Sequence, residues 1–460
     1  MKVMVSCYGY DRELIESIEI VDKLEQNNVT TKVLAIKEDN LDDKRIEYLL
    51  NHKEYQEKYK EFFYYFYSDR FIYDMSGLKG YTSTNFSIEL IWRSFFRLVS
   101  FLETNLEEFN PDVVYLFNGP DNYLTNVLAK ICETKDIPYF WLNHEYFSSK
   151  YIFFANAFTY TNRLFQTYQE NDFGKFKKDD FLIDVIQENK EIFTRYTSNN
   201  IVNLIRKNIS FFKKSKEVYD ISLEDRIFYP WINEPILNMK NKFIKTYNFI
   251  SNKLYANSFV SLEELKTLKL GKNFLLFPLH EQPEAATLAM QPLFNEQYYF
   301  IKLISDALPP NWILLVKEYP IETQNLGLRD PNFYKKIKDL KNVKLIKFDV
   351  SMSDLMDNNL IDKLITVGNS TGFEFMLNLN PPMVFSNVYY SNFKYIQKIE
   401  YLEYNSLMKQ LNIFLQSDIE DIEGYEEELE KFLGAYKNSL LEDDKASSVL
   451  KIIQKKEFYF

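Results

Sequence analysis

The 460-residue sequence contains only two cysteines, Cys7 and Cys132, which lie far apart and outside any CxxC or CxxH pattern. This shortage argues against a disulfide-stabilised scaffold and against a zinc site, and it favours a reducing compartment. Long hydrophobic runs are also absent: no stretch approaches about 18 uninterrupted apolar residues, and no small-residue cleavage site follows an apolar core of signal-peptide length. We therefore expect a cytoplasmic protein with neither a transmembrane helix nor a signal peptide.

Several motifs are missing as well, and each absence excludes an enzyme class. The 11 glycines form no GxxxxGK[ST] loop, which excludes a P-loop nucleotide hydrolase, and they form no GxSxG elbow or GxGxxG fingerprint. None of the three histidines belongs to an HExxH motif, which excludes a zincin. The sequence also lacks Asp-x-Asp, the motif with which many metal-dependent sugar transferases hold a divalent cation. We therefore expect no metal.

The sequence is acidic, with a formal net charge of −11 and a pI of about 5.2. Because this charge repels a nucleic-acid backbone, nucleic acid is not expected as a partner. A nucleotide-sized ligand remains compatible with it, since backbone amides and a few cations can hold phosphates. Aromatic and basic residues adjoin at 211–214 (Phe-Phe-Lys-Lys), so peripheral association with the inner face of the cytoplasmic membrane stays open.

The remaining composition, 46% hydrophobic and 26% charged, is typical of a globular chain, and the length favours two domains. Short apolar runs alternate with runs of helical periodicity, which predicts an α/β fold. We place an N-terminal Rossmann-like domain at 1–255, with a helical, aromatic insertion at about 150–255 that has no clear strands. A C-terminal Rossmann-like domain is placed at 256–425 and further helices at 426–460.

Polar residues follow two neighbouring apolar runs in the C-terminal half. The runs at 274–278 and 312–316 are followed by His280-Glu281-Gln282 and by Lys317-Glu318-Tyr319, with a helix predicted at 296–308 between them. Because ligands bind outside the carboxyl ends of parallel strands, we expect both groups to face one crevice. Lys317 could neutralise a phosphate there, or it could form an ion pair with Glu318 or Glu281.

The N-terminal half repeats this arrangement. The run at 112–117 is followed by Asn118 and Asp121, and the run at 137–142 by His144 and Glu145. His144 and His280 each follow an apolar strand and precede a glutamate, and such a His-Glu pair can perform acid–base work near neutral pH. For each histidine a packing or capping role stays open.

A third group of polar residues lies between a predicted strand at 362–367 and a predicted helix at 373–379. It reads Gly368-Asn369-Ser370-Thr371-Gly372. Backbone amides at a helix N-terminus, with two hydroxyls, form an anion site suited to phosphate. Glu374 follows one turn later and could accept the two hydroxyls of a ribose. The alternative is a capping box, with Ser or Thr as the cap and a glutamate three residues on.

Together these segments resemble bacterial capsule and surface-polysaccharide glycosyltransferases, a group that includes the Kdo transferases of capsule assembly. The resemblance is carried by FPLHEQPEAATLAM, LLVKEYP and LITVGNSTGFEFMLNLNPPMVF, and it covers residues 274–390, roughly a quarter of the chain. Gln282-Pro283 and Glu284 match the family's first motif and 317–320 the second, although Tyr319 stands where the family usually has histidine. The third motif is matched by Ser370, Thr371 and Glu374.

The resemblance implies a metal-independent GT-B glycosyltransferase of the Leloir type, with two Rossmann-like domains facing a cleft. It implies a nucleotide-sugar donor, with a CMP-linked acidic sugar slightly favoured, and a growing surface glycan such as capsule or lipopolysaccharide as acceptor. Glu145 with His144 would act as base or nucleophile, and His280 would lie against phosphate or sugar. The donor residues would be Gln282, Glu284, Lys317, Glu318, Tyr319, Asn369, Ser370, Thr371 and Glu374. Asn118 and Asp121 would lie on the acceptor side.

Two other classes stay open. One is a different GT-B-like enzyme, namely a sugar-nucleotide epimerase or a polyol phosphate transferase. The other is a non-catalytic GT-B-like scaffold of a polysaccharide assembly complex. The sequence determines neither the donor sugar, nor the stereochemical outcome, nor the acceptor, nor the oligomeric state.

Overall fold

The computed structural model describes residues 1–7, 11–36, 43–53, 88–117, 119–120, 122–144, 150–155, 161–170, 175–181, 225, 247–248, 250–280, 296–319, 330–386, 388–399, 404–441 and 444–458. The chain divides into two compact units. The first consists of Met1–Phe173, Phe181–Asn238 and Ala435–Phe460, and the second of Gly174–Asp180 and Met239–Gly434.

The first unit is built on one sheet of mostly parallel strands. These are β1 (Lys2–Ser6), β2 (Thr30–Ala35), β3 (Ile46–Tyr48), β4 (Val113–Leu116), β5 (Tyr139–His144), β6 (Tyr151–Ala155) and β7 (Thr161–Asn162). The order is β3-β2-β1-β4-β5-β6-β7, and the pairs from β3 to β5 are parallel. All residues of β4 are buried, as a sheet covered on both faces requires.

The antiparallel strands β6 and β7 correct the expectation that the chain from about 150 onward is helical. β6 pairs with β5 and β7 pairs with β6. The sequence of β6, YIFFA, is rich in aromatic and β-branched residues, which favour a pleated and buried surface. These two strands therefore extend the edge of the first sheet.

The helices of the first unit are α1 (Asp11–Glu25), α2 (Ile88–Phe109), α3 (Tyr123–Thr134), α4 (Arg163–Glu170) and α12 (Lys445–Lys455), with a short 3₁₀ helix at Leu49–Asn51. The last helix, α12, belongs to this unit although it is far in sequence from the other helices of the unit. It buries Val449, Ile452 and Ile453 in the same apolar core as α1 and the sheet. Hydrophobic burial therefore attaches the C-terminal segment to the N-terminal sheet.

Gly119 provides a stability test of the first unit. Its φ is +81°, and a Cβ atom at this position would lie 2.7 Å from Cδ1 of Trp141. We expect Gly119→Ala to lower the free energy of unfolding by about 1–3 kcal/mol, because alanine is strained in this backbone conformation and the indole ring has to move. Thermal unfolding measures the loss. Gly271→Ala is the control, since a Cβ there meets nothing within 4 Å; equal melting temperatures for the two variants would contradict this prediction.

The second unit contains a fully parallel sheet. Its strands are β8 (Asn273–Pro278), β9 (Trp312–Lys317), β10 (Val343–Leu345), β11 (Lys363–Thr366), β12 (Met383–Val384) and β13 (Gln397–Lys398). Their order is β10-β9-β8-β11-β12-β13. Counted within the unit this is 3-2-1-4-5-6, the strand order of Rossmann folds. The two sheets confirm the predicted α/β class with two Rossmann-like domains, which are the two domains of a GT-B fold.

Helices flank this second sheet. They are α5 (Leu262–Lys269), α6 (Gln297–Ala307), α7 (Pro331–Lys338), α8 (Met352–Asp357), α9 (Ser370–Leu377), α10 (Tyr404–Gln416) and α11 (Ile422–Ser439), whose residues from Ala435 onward belong to the first unit. α6 confirms the helix predicted at 296–308. Side chains of β8 alternate between two apolar cores, with Leu275 and Phe277 in one and Phe274 and Leu276 in the other. The sheet is therefore buried on both faces, and its polar chemistry is confined to strand ends. Among the helices that the structure describes, none is long and apolar enough to cross a membrane.

Candidate functional site

The candidate site lies where the strand order of the second sheet reverses, between β8 and β11. Ligands of open α/β sheets bind at this position, outside the carboxyl ends of the strands. Pro278 pairs with Lys317 of β9, and Leu276 pairs with Leu364 of β11. Continuing both registers places His280 level with Tyr319 on one side and with Gly368 on the other. The topology therefore brings together three of the segments selected from the sequence.

The backbone of His280 is held from two sides by one side chain. Its N–H donates to Oε1 of Gln297 at 3.0 Å, and its carbonyl oxygen accepts from Nε2 of Gln297 at 3.1 Å. Gln297 is the first residue of α6 and is buried, and His280 is only 1% exposed. The start of α6 thus locks the end of β8, which fixes the position of the histidine at the edge of the sheet.

Side-chain hydroxyls also hold the loop that follows β11. Oγ1 of Thr366 accepts the N–H groups of Gly368 at 3.1 Å and Asn369 at 3.2 Å. Ser386 donates to the carbonyl oxygen of Val367, and the hydroxyl of Tyr390 donates to the carbonyl oxygen of Asn369. These three hydroxyl residues were not selected from the sequence. Ser386 and Tyr390 reach the loop from beyond β12, 19 and 21 residues along the chain, and Thr366 lies within the buried strand β11.

The first turn of α9 has no side-chain cap. Its N-cap is Asn369, whose side chain makes no capping hydrogen bond, and Oδ1 of Asn369 is buried without a partner among the described residues. The backbone N–H groups of Ser370 and Thr371 donate to none of the residues that the structure describes. The capping-box alternative is therefore wrong here, and within the described part of the chain the helix presents N–H donors without acceptors.

Glu374 lies one turn after Ser370 on the same helix. Burial raises the pKa of its carboxyl group to about 7, since the charged form loses hydration. Among the described residues, none donates a hydrogen bond to this carboxyl group and none forms an ion pair with it. A carboxylic acid without a partner, beside a helix N-terminus, is suited to accept hydroxyl groups from a ligand once it is ionised.

Gly372 allows this first turn to approach the ring beneath it. A Cβ atom there would lie 2.3 Å from the hydroxyl oxygen of Tyr390 and 3.0 Å from Cγ2 of Thr366. Tyr390 is fully buried and belongs to an aromatic cluster with Phe373 and Tyr389. The glycine is therefore required by a close contact, which explains why the motif ends in Gly372.

The residues after β9 are mainly engaged inside the unit. Nζ of Lys317 donates to the carbonyl oxygen of Val350 at 2.6 Å, and burial lowers the pKa of this lysine. Oε2 of Glu318 accepts the hydroxyl of Tyr334, and Oε1 accepts the N–H of Tyr319 at 2.8 Å. Lys317 is 7% exposed and Glu318 is 3% exposed. Both side chains therefore support the fold around the site. The ammonium group of Lys317 binds a backbone carbonyl oxygen, rather than the carboxylate that the sequence analysis considered as its partner.

Other predicted site residues fall outside the described part of the chain, namely Asn118, Asp121, Glu145, Gln282 and Glu284. His144 is the last residue of β5 and pairs with Tyr151 of β6, at the carboxyl end of the first sheet. Among the described residues, no group of histidine, cysteine and carboxylate side chains is arranged to hold a metal ion.

A buried cation near the end of β4 was not selected from the sequence. Nζ of Lys445 lies 3.6 Å from the ring centre of Phe117 and 3.8 Å from Oε2 of Glu16. The lysine side chain is 10% exposed. The contacts join the first turn of α12 to α1 and to the carboxyl end of β4, and only the fold brings these distant segments together.

Comparisons with known proteins complete the description. No family model matches the chain, and no curated protein matches it. Among solved structures, it is similar to KpsC, a beta Kdo 2,7 transferase from Thermosulfurimonas dismutans, with 9% identity, 89% of each chain covered and a TM-score of 0.35. It is similar to a UDP-forming alpha,alpha-trehalose-phosphate synthase from Burkholderia vietnamiensis, with 8% identity over 99% of this chain and 96% of that chain, at a TM-score of 0.32.

A third similar structure is the UDP-GlcNAc 2-epimerase from Neisseria meningitidis bound to UDP-GlcNAc. Identity is 14%, coverage is 99% of this chain and 100% of that chain, and the TM-score is 0.28. These TM-scores are too low to assign the chain to any of the three enzyme classes. Its function is therefore inferred from its own residues.

Proposed function

We propose that this chain is a glycosyltransferase that uses a nucleotide-sugar donor, binds the nucleotide at the strand-order reversal of the second sheet, and extends a surface glycan. One observation carries the proposal. At that reversal, the first turn of α9 offers N–H groups that donate to no described residue, and the carboxyl group of Glu374, also without a partner among the described residues, lies one turn further along. This combination suits a ligand that carries a phosphate next to a ribose.

The first turn of α9 would hold the phosphate. The N–H groups of Ser370 and Thr371, their hydroxyls and the positive end of the helix dipole are complementary to an anion. They would also stabilise the negative charge that develops on the departing nucleotide, without a metal ion. Asn369, the N-cap residue, lies beside them with an amide that can donate to a phosphate oxygen.

Glu374 would accept the ribose hydroxyls in its ionised form, while Tyr319 and His280 flank the same edge of the sheet. Tyr319 stands where the resembling family has histidine, and its hydroxyl can likewise donate to a phosphate oxygen. Lys317 and Glu318 would contribute indirectly, through their contacts with Val350 and Tyr334.

The first unit would supply the catalytic and acceptor side of the reaction. Glu145, with His144 beside it, would act as base or nucleophile, and Asn118 and Asp121 would bind the acceptor. A CMP-linked acidic sugar is the first donor to test, and the growing chain of a capsule or lipopolysaccharide glycan is the acceptor class. Peripheral association with the membrane surface would bring the enzyme to such an acceptor.

A ligand screen tests the proposal. Purified protein is melted with CMP, UDP, GDP and their sugar conjugates, and we expect one nucleotide series to stabilise the protein by about 2.7 kcal/mol at 100 times its Kd. In the double variant Ser370→Ala/Thr371→Ala this shift should shrink, because the two hydroxyls are lost. Ser351→Ala is the matched control, since Ser351 caps α8 through a capping box. It should lower the melting temperature and keep the ligand-induced shift.

The outcome separates the competing functions. If no nucleotide shifts the melting temperature, the enzyme proposal fails and the scaffold alternative takes its place. If a nucleotide binds, product analysis with the sugar conjugate decides the reaction. A transferase releases the nucleotide only with an acceptor present, whereas an epimerase converts the sugar nucleotide without one.

A further inference from the structure

We propose that Tyr390 is a positioning residue for this site: its hydroxyl orients one peptide group of the anion-binding loop, so that the N–H of Ser370 points at the donor phosphate. The proposal rests on the proposed function. It assigns a role to a residue that would not itself contact the donor.

The orienting contact is a single buried hydrogen bond. Tyr390 is fully buried, and its hydroxyl donates to the carbonyl oxygen of Asn369 at 2.5 Å. That carbonyl and the N–H of Ser370 belong to the same planar peptide group and point in opposite directions. A donor that holds the carbonyl oxygen therefore fixes the direction of the N–H on the other side. The N–H of Gly372 also donates to this oxygen at 3.2 Å, from within the first helical turn.

The two preceding peptide groups of the loop are held by other residues. Ser386 binds the carbonyl oxygen of Val367, and Thr366 binds the N–H groups of Gly368 and Asn369. The peptide group between Asn369 and Ser370 is thus the one whose side-chain support comes from Tyr390. Its N–H is also the first of the donors in this turn that have no partner among the described residues.

Tyr425 provides a matched control. It is also fully buried, and its hydroxyl also donates to a backbone carbonyl of α9, that of Met376, at 2.9 Å. Met376 lies at the opposite end of the helix from the loop. Tyr390→Phe and Tyr425→Phe therefore remove the same chemical group from the two ends of one helix, and both keep the aromatic ring.

Titration calorimetry with a nucleoside and its phosphates isolates the effect on phosphate. We expect Tyr390→Phe to weaken binding of the nucleoside mono- and diphosphate about threefold to tenfold, the range for losing one hydrogen bond. Binding of the nucleoside should stay unchanged, because the base and ribose do not contact this peptide group. Tyr425→Phe should bind all three ligands as the wild type does. Equal losses for nucleoside and nucleotide, or equal losses in both variants, would overturn the proposal.

Hydrogen–deuterium exchange tests the positioning without any ligand. In Tyr390→Phe we expect faster exchange in peptides that cover 367–372, and in Tyr425→Phe this segment should exchange as in the wild type. Unchanged exchange of this segment in Tyr390→Phe would overturn the positioning role, irrespective of the calorimetric result. A wild type that binds no nucleotide would contradict the proposed function alone, and the exchange result would still decide whether Tyr390 orders the loop.

Discussion

Nucleotide binding should strengthen about tenfold between pH 6 and pH 8, because Glu374 has to be ionised to accept two ribose hydroxyls. Burial raises the pKa of this carboxyl group from 4.5 to about 7. With a pKa of about 7, the ionised fraction rises from about a tenth at pH 6 to about nine tenths at pH 8. The apparent dissociation constant falls in proportion to the competent fraction, so the affinity gain is about tenfold.

The raised pKa of Glu374 also affects folding stability, which should fall with rising pH while nucleotide binding strengthens. In the unfolded chain the carboxyl group ionises near pH 4.5, whereas in the folded unit it stays protonated until about pH 7. Between these values the folded state binds more protons than the unfolded state. The contribution of Glu374 to stability is therefore present below pH 4.5 and is lost as the pH rises through about 7. Acidification should thus increase the contribution of Glu374 to the free energy of unfolding, while it weakens nucleotide binding.

Calorimetry from pH 6 to pH 8 with the nucleotide that gives a thermal shift measures the effect. Glu374→Gln is the control, because an amide keeps the size of the side chain and cannot titrate. The variant should bind weakly and with no dependence on pH in this range. An identical pH profile in wild type and variant would show that another group is responsible, and unchanged affinity in Glu374→Gln would remove Glu374 from the binding site.

Glu318→Ala should lower the free energy of unfolding of the second unit by about 3–4 kcal/mol. The carboxyl group is 3% exposed, accepts the hydroxyl of Tyr334, and accepts the N–H of Tyr319. Tyr334 is itself 1% exposed and packs edge-to-face against Phe259 at 5.5 Å. Alanine would leave a buried hydroxyl without its acceptor and a cavity beside it, and both effects destabilise.

Urea unfolding of Glu318→Ala, Tyr334→Phe and the double variant tests this interpretation. Tyr334→Phe should cost only about 1–2 kcal/mol, since it removes one hydrogen bond and keeps the ring. Because the two residues contact each other, the double variant should be more stable than the sum of the two losses predicts. The opposite pattern, a wild-type stability in Glu318→Ala together with lost nucleotide binding, would mean that Glu318 contacts the donor directly, as the family resemblance implies.

The long strands and their polar ends could be read from the sequence. Runs such as 274–278 and 312–316 are apolar on both faces, which is the pattern of strands covered by helices on both sides. The short strands β3 (Ile46–Tyr48) and β13 (Gln397–Lys398) and the hairpin of β6 and β7 were missed. Strands of two or three residues carry little periodicity of their own, and they form because a neighbouring strand offers hydrogen-bond partners.

The candidate site at the strand-order reversal shows the same division between what could be predicted and what could not. His280, Ser370, Thr371 and Glu374 could be selected because each follows an apolar strand, and parallel strands bring their carboxyl ends to one edge. The partners of these segments could not be selected in the same way. Gln297 and Tyr390 act through hydrogen bonds to residues 17 and 21 positions away, and their residue types carry no local signal. Thr366 acts locally, on the N–H groups of Gly368 and Asn369, but it lies in a strand that is otherwise apolar.

The sequence by itself determined the alternation of strands and helices, and with it the two Rossmann-like sheets and the edge at which polar residues collect. These features follow from local hydrophobic patterns. The tertiary structure alone decided that Lys317 and Glu318 turn inward to Val350 and Tyr334, that α9 begins without a cap, and that burial raises the pKa of Glu374 to about 7. The first of these depends on hydrogen bonds between residues distant in sequence and the last on desolvation, and packing creates both environments.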